Sequence, residues 1–468
     1  MVIATSKVPI YTAAMKSSGV LPTNIAPQNV NDGMISHSAS DGRVLVIGST
    51  ADYIGFINRH YTGQVAFVTD PSERMNCEED SPDTRSEVLV SLVDPQFVLK
   101  QIKNHLNHHN LRATGVACFD CEYLYLTSLI AADLGLSYHV PEAILASRCK
   151  FTSKMRWQQA GLGCPVACQV RSADEAVAFM RQQGGRIILK PLTGSGSELT
   201  FLCTTVLETE AAFALMSSRM AGMSANRMYD SYNADGIRID PRLVFIAEEY
   251  CEGDEYSCDF LIEGGKVEII RITRKWLKAD PAPGTIMAYQ IPEKPELDHA
   301  MLREYLYAAA QALGLERGLC MVDFIMSANR MILLELTPRP GGDCLPQLIR
   351  TGYGLDILGL ALKVAEGPPL KLAMNKIDRP LVGLRLFAPL PGGIISHIDA
   401  EGLRCDPHVL QLELTRQPGC RVIHPPDSYS SRILGYALFN PVSEENVEQE
   451  CYVLLDKLIV GYYEEEAV

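Results

Sequence analysis

The stretch GLCMVDFIMSANRMILLELTPRPGGD, residues 318–343, decides the fold. Two apolar segments flank a short polar turn near Asn329, and this pattern predicts an antiparallel β-hairpin. A hairpin centred there places the Asp323 side chain directly across from that of Glu335. The opposite face is then wholly apolar, with the facing pairs Val322 and Leu336, Phe324 and Leu334, and Met326 and Ile332.

Two carboxylates that face each other across antiparallel strands repel, because their Cβ atoms are only about 5 Å apart. Such a pair persists where a cation lies between the side chains, and Mg²⁺ suits the position because this ion binds hard oxygen ligands. Without a cation, the repulsion raises the apparent pKa of the pair. Alternation along the strand also places Thr337 and Arg339 on the side of Glu335. The alternative is a slipped register that separates the carboxylates but exposes the apolar face.

A second informative stretch is RIILKPLTGSGSEL, residues 186–199. A short apolar strand ends at Lys190, and a loop of small residues follows. One interpretation is a surface turn, since Gly and Ser are favoured in turns. The other is a phosphate cradle, in which loop N–H groups face an anion and the lysine adds a positive charge. The stretch alone leaves both interpretations open.

The N-terminal part of the chain has the pattern of an α/β domain. Apolar strands end in polar residues at GRVLVIGST (42–50), QVAFVTD (64–70) and TGVACFD (114–120), and a helix-like stretch that closes at a glycine covers 122–136. Strands that alternate with helices predict a parallel sheet with covered faces. No Gly-x-Gly-x-x-Gly follows the first strand, so the Rossmann-like domain predicted over 41–147 is not expected to bind NAD.

From residue 148 the pattern changes to α+β. The stretch 243–276 predicts short strands joined by tight turns at Gly253-Asp254 and Gly264-Gly265, as in an antiparallel sheet. A polar, proline-containing linker near 376–380 precedes a final segment with strand-like stretches and a closing helix.

Composition excludes several classes of partner. The chain has 468 residues, enough for roughly three domains, and its net charge of −14 argues against binding to nucleic acid or an anionic membrane. No apolar run is long enough to span a membrane. The first 40 residues are rich in Ser, Asn, Thr and Pro, which predicts a flexible leader. The 14 cysteines lack the spacing of a small disulfide-bonded domain and indicate reduced thiols, as in the cytoplasm.

Taken in order, the lysine before the glycine-rich loop, the motif EEYCEGDEYS and the Asp…Glu-x-x-x-Arg hairpin resemble the ATP-grasp superfamily. With a Rossmann-like unit before them and a further segment after them, the chain is similar to carboxylate–amine ligases of the L-amino-acid ligase type. The resemblance implies a multidomain α/β and α+β fold. Its parts would be a flexible leader (1–40), a Rossmann-like pre-ATP-grasp domain (41–147), an ATP-grasp domain (148–375) with a mobile lid at about 185–250, and a small α+β C-terminal domain (376–468).

The resemblance also implies roles for individual residues. Lys190 and Arg339 would be catalytic, with Lys190 at the nucleotide phosphates and Arg339 at the reacting carboxyl group. The residues expected to bind ATP are Lys150, Lys190, Thr193, Gly194, Ser195, Gly196, Ser197, Glu248, Glu249, Tyr250, Cys251 and Glu255. Those expected to bind magnesium are Asp323, Glu335 and Thr337, and those expected to bind substrate are Arg339, Gly341, Gly342 and Asp343.

Two of these positions leave a question open. The family commonly has Asn where this chain has Thr337, and the shorter threonine side chain makes the second metal position uncertain. Asp343 follows the glycines and either faces an amine substrate or caps the next helix. Side chains of the last segment and of the stretch 271–290 are expected to select the substrates.

The reaction implied by the resemblance is ATP-dependent formation of an amide bond between an amine and a carboxylate, such as an amino acid or a small organic acid. It would proceed through an acyl phosphate and release ADP and phosphate, with two Mg²⁺ ions, or Mn²⁺ in their place. The alternatives are an ATP-grasp carboxylase that activates bicarbonate and a non-catalytic ATP-binding regulatory protein. No nucleic-acid or membrane partner is expected, the location is cytoplasmic, and a homodimer is left open.

Overall fold

The computed structural model describes residues 41–49, 51–75, 81–223, 226–234, 236–279, 284–293, 297–328, 330–377 and 379–463. The predicted leader, residues 1–40, lies outside the described residues. Residues 41–468 form one compact unit. No helix among the described residues is long and apolar enough to cross a membrane.

The N-terminal part of this unit is a parallel sheet with helices, as predicted. Its elements are β1 (Gly42–Ile47), α1 (Ala51–His60), β2 (Val65–Thr69), α2 (Pro71–Met75), β3 (Glu87–Leu89), α3 (Pro95–His108), β4 (Arg112–Ala117), a 3₁₀ turn (Cys121–Tyr123) and α4 (Leu124–Leu134). The strand order is β3-β2-β1-β4, and all neighbours are parallel. β2 is buried along its whole length, which explains its continuous apolar sequence. α4 ends at Gly135 in the left-handed conformation, as the glycine predicts.

A four-stranded antiparallel sheet follows. The elements of this part are α5 (Pro141–Arg148), α6 (Lys150–Gln159), β5 (Ala167–Val170), α7 (Ala173–Gln182), β6 (Ile187–Pro191), β7 (Phe201–Cys203), α8 (Val206–Ala221), a 3₁₀ turn (Arg227–Tyr229), β8 (Tyr232–Ala234), β9 (Ile237–Ile239) and β10 (Phe245–Glu249). The strand order of the sheet is β5-β10-β6-β7. Two helices, α7 and α8, pack their apolar faces against it.

The rest of the unit is built on an eight-stranded sheet and a three-stranded sheet. The elements up to residue 375 are β11 (Asp254–Glu263), β12 (Lys266–Leu277), β13 (Ile286–Ile291), α9 (His299–Ala312), β14 (Gly318–Ser327), β15 (Arg330–Thr337), α10 (Leu345–Tyr353) and α11 (Ile357–Glu366). Those beyond it are β16 (Leu381–Phe387), β17 (Gly393–Asp399), α12 (Glu401–Arg404), β18 (Val409–Leu414), β19 (Arg421–Val422), β20 (Ile433–Phe439), a 3₁₀ turn (Glu444–Asn446), α13 (Val447–Leu455) and β21 (Ile459–Tyr462). The strand order is β15-β14-β11-β12-β13-β16-β20-β18 in the larger sheet and β19-β17-β21 in the smaller one.

The stretch 243–276 was predicted only in part. The turn at Gly264-Gly265 joins β11 and β12 in a hairpin, but these strands are 10 and 12 residues long rather than short. The prediction of a second hairpin at Gly253-Asp254 is wrong, because β10 belongs to the four-stranded sheet and β11 to the eight-stranded one. Gly253 has φ 145°, and a Cβ atom there would lie 2.3 Å from the carbonyl oxygen of Met326. Glycine is therefore required where the chain passes between the sheets.

The β14–β15 hairpin has the predicted register at one end and a different register at the other. Asp323 faces Glu335, as predicted. The register then shifts, so Phe324 faces Leu333 and not Leu334, and Met326 faces Met331. Such a β-bulge adds one residue to one strand and turns the following side chains to the other face. Leu333, Leu336, Val322 and Phe324 are consequently the buried residues of the apolar face, whereas Leu334 lines a cavity.

The eight-stranded sheet continues across the predicted boundary between the central and C-terminal domains. β13 pairs with β16, and Ile291 faces Leu381 in this register. The division into domains at residues 147 and 375 stays a prediction. The continuous sheet makes the segment beyond 375 part of the wall of the site described next.

Candidate active site

A cavity of about 610 Å³, termed cavity A, lies between the four-stranded antiparallel sheet and the eight-stranded sheet. The residues predicted to bind ATP all line it, and so do the two facing carboxylates of the hairpin. Because these residues come from distant parts of the chain, the packing of the two sheets brings them together. They are Lys150, Lys190, Thr193, Gly194, Ser195, Gly196, Ser197, Glu248, Glu249, Tyr250, Cys251, Glu255, Asp323 and Glu335.

Lys190 stands near the end of β6, and its Nζ atom lies 2.7 Å from Oε2 of Glu248. Glu248 is buried, and its other carboxylate oxygen lies 2.8 Å from Nζ of Lys154. Burial alone would raise the pKa of the Glu248 carboxyl, but the two lysines hold that pKa below its usual value. The charged Glu248 side chain therefore fixes the position of Lys190 at the cavity wall.

Lys154 is a residue that sequence reasoning missed. It is fully buried on α6, and its Nζ atom donates a hydrogen bond of 2.7 Å to the carbonyl oxygen of Leu334. A lysine on a polar helix is ordinarily taken as exposed, because unpaired lysines are rarely buried. Its spacing of four residues from Lys150 places both side chains on one helix face, and this signal could have identified it.

The glycine-rich loop borders cavity A. Lys150 Nζ donates to the carbonyl oxygen of Gly194 at 3.0 Å, and Ser197 Oγ donates to that of Gly284 at 3.0 Å. Gly194 has φ 136°, a backbone conformation that residues other than glycine rarely adopt. The loop thus runs along the cavity between two anchored ends, which favours the cradle interpretation over a plain surface turn.

The acidic pair of the hairpin is accompanied by two lysines. Asp323 Oδ2 lies 3.1 Å from Nζ of Lys275, and Lys275 also contacts the Glu255 carboxylate. Glu335 Oε2 lies 3.6 Å from Nζ of Lys150. The sequence predicted a cation at the pair but not that lysines from β12 and α6 stand beside it.

The pKa values of the two carboxyl groups of the pair are shifted in opposite directions. Burial raises the pKa of the Asp323 carboxyl above its usual value, and the charge of Glu335 adds to the rise while Lys275 opposes it. Burial acts in the same direction on Glu335, yet Lys150 and Lys190 hold its pKa below the usual value. Repulsion within the pair thus contributes to a raised pKa at Asp323, as predicted for the pair, whereas at Glu335 the lysines outweigh it.

The pair has the donor chemistry that Mg²⁺ prefers. Oδ1 of Asp323 is a buried carboxylate oxygen with no hydrogen-bond partner among the described residues. No group of three or more His, Cys, Asp and Glu side chains in the described part of the chain could by itself hold a metal ion. Mg²⁺ is usually bound by only one or two carboxylates together with substrate phosphates, so two carboxylates are sufficient.

A second cavity of about 240 Å³, termed cavity B, adjoins cavity A. Both are bordered by Lys275, Asp323, Glu335 and the loop residues 194–197. Of the remaining predicted residues, those lining cavity B are Thr337, Arg339, Gly342 and Asp343.

Gly341 is the predicted substrate residue that lines neither cavity. Its backbone N–H donates to Oδ1 of the buried Asp259 at 2.7 Å. Asp259 in turn pairs with the buried Arg271 at 2.5 Å. A Cβ atom on Gly341 would lie 2.9 Å from Nη2 of Arg271, so glycine lets this loop approach the buried ion pair.

Arg339 lies two residues past the end of β15 and keeps the orientation that alternation predicts. Its Nη1 atom donates to the carbonyl oxygen of Pro340 at 2.6 Å, and its Nε atom donates to Sγ of Cys121 at 3.0 Å. No carboxylate among the described residues forms an ion pair with it. The guanidinium therefore borders cavity B with no carboxylate of the described residues within ion-pair distance.

Asp343 does not cap the following helix. The residue preceding α10 is Cys344, and no side chain caps the helix there. Asp343 instead has its Oδ2 atom 2.8 Å from Nε of Arg385 on β16. One of the two readings of this aspartate is thereby excluded, and the other, contact with a substrate, stays a prediction.

Cavity B also contains residues that sequence reasoning did not name individually. Arg385 and Arg432 each stack on the ring of Phe387, at 5.5 Å from its centroid. Tyr289 and Tyr429 complete this side of the cavity. They come from the stretch 271–290 and the last segment, where substrate-selecting side chains were expected.

Comparison with known proteins gives a family for the central part of the chain. Residues 184–347 match the family model described as "ATP-grasp domain". Carnosine synthase 1 of Mus musculus is 21% identical over 55% of this chain and 31% of its own length. D-alanine–D-alanine ligase of Delftia acidovorans is 26% identical over 51% of this chain and 71% of its own. This chain thus spans 58% or less of the full length of each of the first relatives.

Solved structures share the fold over most of the chain. The L-amino acid ligase from Bacillus licheniformis has a TM-score of 0.70 at 18% identity, covering 90% of this chain and 99% of that one. A biotin carboxylase from Campylobacter jejuni has a TM-score of 0.61 at 16% identity, covering 89% of this chain and 92% of that one. The mixed α/β architecture predicted from the sequence is thereby confirmed.

Proposed function

We propose that this chain, which carries an ATP-grasp domain, is an ATP-dependent ligase that joins a carboxylate to an amine. A carboxylate oxygen attacks the γ-phosphorus of ATP, and ADP leaves. The amine then attacks the acyl carbon, phosphate leaves, and the amine loses a proton. The observation that carries this proposal is that cavities A and B meet at Asp323 and Glu335. Cavity A contains Lys190 and the glycine-rich loop, and cavity B contains Arg339.

Cavity A suits the nucleotide. Lys150 and Lys190 would contact its phosphates, and the loop residues 193–197 would supply backbone N–H groups. The segment 248–251 would meet adenine, largely through backbone groups, and Glu255 would reach the ribose. The volume of about 610 Å³ accommodates a ligand of this size.

Asp323 and Glu335 would hold Mg²⁺, and Thr337 is the residue of cavity B that could add a hydroxyl ligand. When bound, the ion supplies neutralisation of charge on the β- and γ-phosphates. We propose that two Mg²⁺ ions bind here and that Mn²⁺ can take their place.

Cavity B suits the carboxylate and the amine. The planar guanidinium of Arg339 can hold a carboxylate through two parallel hydrogen bonds. Negative charge develops on the same oxygens when the amine attacks, so the same donors stabilise the transition state. Because the loop residues 194–197 border both cavities, closure of this loop would also keep water from the acyl phosphate.

The test is ADP release by the purified chain with Mg²⁺, ATP and panels of amino acids and small organic acids. We expect release that requires both a carboxylate and an amine, and a condensed product in the mass spectrum. Release that depends on bicarbonate would favour the carboxylase alternative. Tight ATP binding without release under any condition would favour the regulatory protein.

The described cysteines are all free, which agrees with the reduced, cytoplasmic location that we propose. We further propose small-molecule partners only. The solution mass of the full chain tests whether it forms a homodimer.

Asp323→Asn should raise the Mg²⁺ concentration needed for half-maximal ADP release by about tenfold or more, as found when groups at a metal site are altered. The change removes the negative charge but keeps the size of the side chain. The control is Asp254→Asn, since Asp254 also lines cavity A but is exposed and paired with Arg274. An equal Mg²⁺ requirement in both variants would remove Asp323 from the metal site.

Binding of ATP with Mg²⁺ should slow backbone hydrogen exchange in residues 193–199. Ordering a glycine-rich loop costs backbone entropy, which contacts with phosphate would offset. The turn at Gly264-Gly265, which lines neither cavity, is the internal control and should exchange at the same rate with and without nucleotide. Unchanged exchange and protease sensitivity at 193–199 would contradict the cradle interpretation.

A further inference from the structure

A third cavity, of about 430 Å³ and termed cavity C, lies on the other side of the glycine-rich loop. It is bordered by the helices α4 and α5, by Val93 and Pro95, and by residues within 227–232 together with Arg238 and Arg242. Thr193 borders both cavity C and cavity A. The charged side chains that line it are Arg148, Arg227, Arg238, Arg242, Glu122 and Asp230.

Two of the arginines have buried nitrogen atoms that lack a partner. The Nε atom of Arg148 and the Nη1 atom of Arg227 are buried without a hydrogen bond among the described residues. Arg148 Nη2 donates to Met228 O at 3.1 Å and to Met228 Sδ at 3.3 Å, and Arg227 Nη2 donates to Val93 O at 2.7 Å. Buried N–H groups are normally paired, so the pattern indicates a missing acceptor.

The charge balance of cavity C is positive. Arg242 is paired with Asp240 at 2.7 Å, and Arg227 is 3.9 Å from Asp230. No ion pair involves Arg148 or Arg238 within the part of the chain that the structure describes. Four guanidinium groups therefore line cavity C against the two carboxylates of Glu122 and Asp230, in a chain whose net charge is −14. Such a local excess of positive charge attracts anions.

We propose that cavity C binds a small polyanion with at least two carboxylate or phosphate groups, held by Arg148, Arg227 and Arg238. Guanidinium groups bind both kinds of acid through paired hydrogen bonds. The site is separate from the two cavities assigned to the ligase reaction.

The position of cavity C links its occupancy to the glycine-rich loop. The carbonyl oxygen of Met228 accepts hydrogen bonds from Thr193 Oγ1 at 2.7 Å and from Arg148 Nη2. An anion that draws Arg148 toward itself changes the environment of this carbonyl and hence the anchor of Thr193. An effect on ATP affinity follows from this contact, and this part rests on the proposed function.

The experiment measures binding of citrate and of pyrophosphate to the full chain by calorimetry in metal-free buffer with ADP present. We expect saturable binding of at least one probe, weakened about tenfold or more in Arg148→Gln and in Arg238→Gln. Tighter binding of citrate would identify a polycarboxylate, and tighter binding of pyrophosphate a phosphorylated ligand. Arg238 is exposed on β9, so the probe affinity of Arg238→Gln tests the proposal even if Arg148→Gln does not fold.

A control assigns the bound anion to cavity C. Arg181→Gln changes an exposed arginine of α7 and should bind the probes like the wild type. Failure of both probes to bind, or binding that is equal in the wild type and in Arg238→Gln, would overturn the proposal without bearing on the ligase reaction.

Discussion

Arg339→Ala should lower amine-dependent ADP release by about 100-fold or more, the loss typical of removing one donor from an oxyanion site. The affinity for nucleotide should stay nearly unchanged, because Arg339 borders cavity B and not cavity A. The guanidinium has no ion-pair partner among the described residues, so its removal strands no protein carboxylate. The expected defect is therefore in chemistry and not in folding.

The design of this measurement separates three roles for Arg339. Nucleotide binding and ADP release are measured on the same protein, with Arg330→Ala as the control because Arg330 is exposed at the far end of the same strand. Arg339→Lys should recover only part of the activity, since an ammonium group cannot form the paired hydrogen bonds. A parallel fall in binding and release would make Arg339 a structural or nucleotide-binding residue. No change in either would mean that cavity B is not the acyl site.

Lys190→Ala should weaken ATP binding by about 30-fold, which corresponds to the roughly 2 kcal/mol of a hydrogen bond to a charged group. The fold should persist, because Glu248 keeps its contact with the buried Lys154. Lys266→Ala, at an exposed position on the β11–β12 hairpin, is the control. Equal thermal unfolding of the variants with weaker binding in Lys190→Ala alone is the expected result. An ATP affinity of Lys190→Ala equal to that of the wild type would contradict the cradle interpretation and favour a plain surface turn.

Local patterns in the sequence were sufficient to predict the strand register at the end of the hairpin that carries the acidic pair. Alternation with period two places Asp323 across from Glu335, and the structure agrees. The bulge beyond it could not be predicted. All residues of the run Met331–Leu334 are apolar, so the sequence does not show which of them faces the core after a shift of one residue. The bulge follows from tertiary packing that buries Leu333 and directs the Leu334 carbonyl to Lys154.

The residues missed at the site share a physical cause. Lys275 reaches Asp323 only after β12, β11 and β14 have assembled side by side, and strand order is not visible in local periodicity. Arg385 and Arg432 depend in the same way on the pairing of distant strands. The false hairpin at Gly253 has the same origin, since a turn-type residue does not show to which sheet the next strand belongs.

The pairing of β13 with β16 limits how this chain can be divided. A chain ended at residue 375 would leave β13 as an open edge, with the backbone groups that now meet β16 unpaired. Edges of this kind pair with other chains, so aggregation is the expected fate of such a fragment. It would also lack Arg385 and Arg432, and with them part of cavity B. If cavity B selects the substrates, as proposed, the segment beyond 375 cannot be exchanged as a separate domain, and a change of specificity has to come from substitutions within the intact sheet.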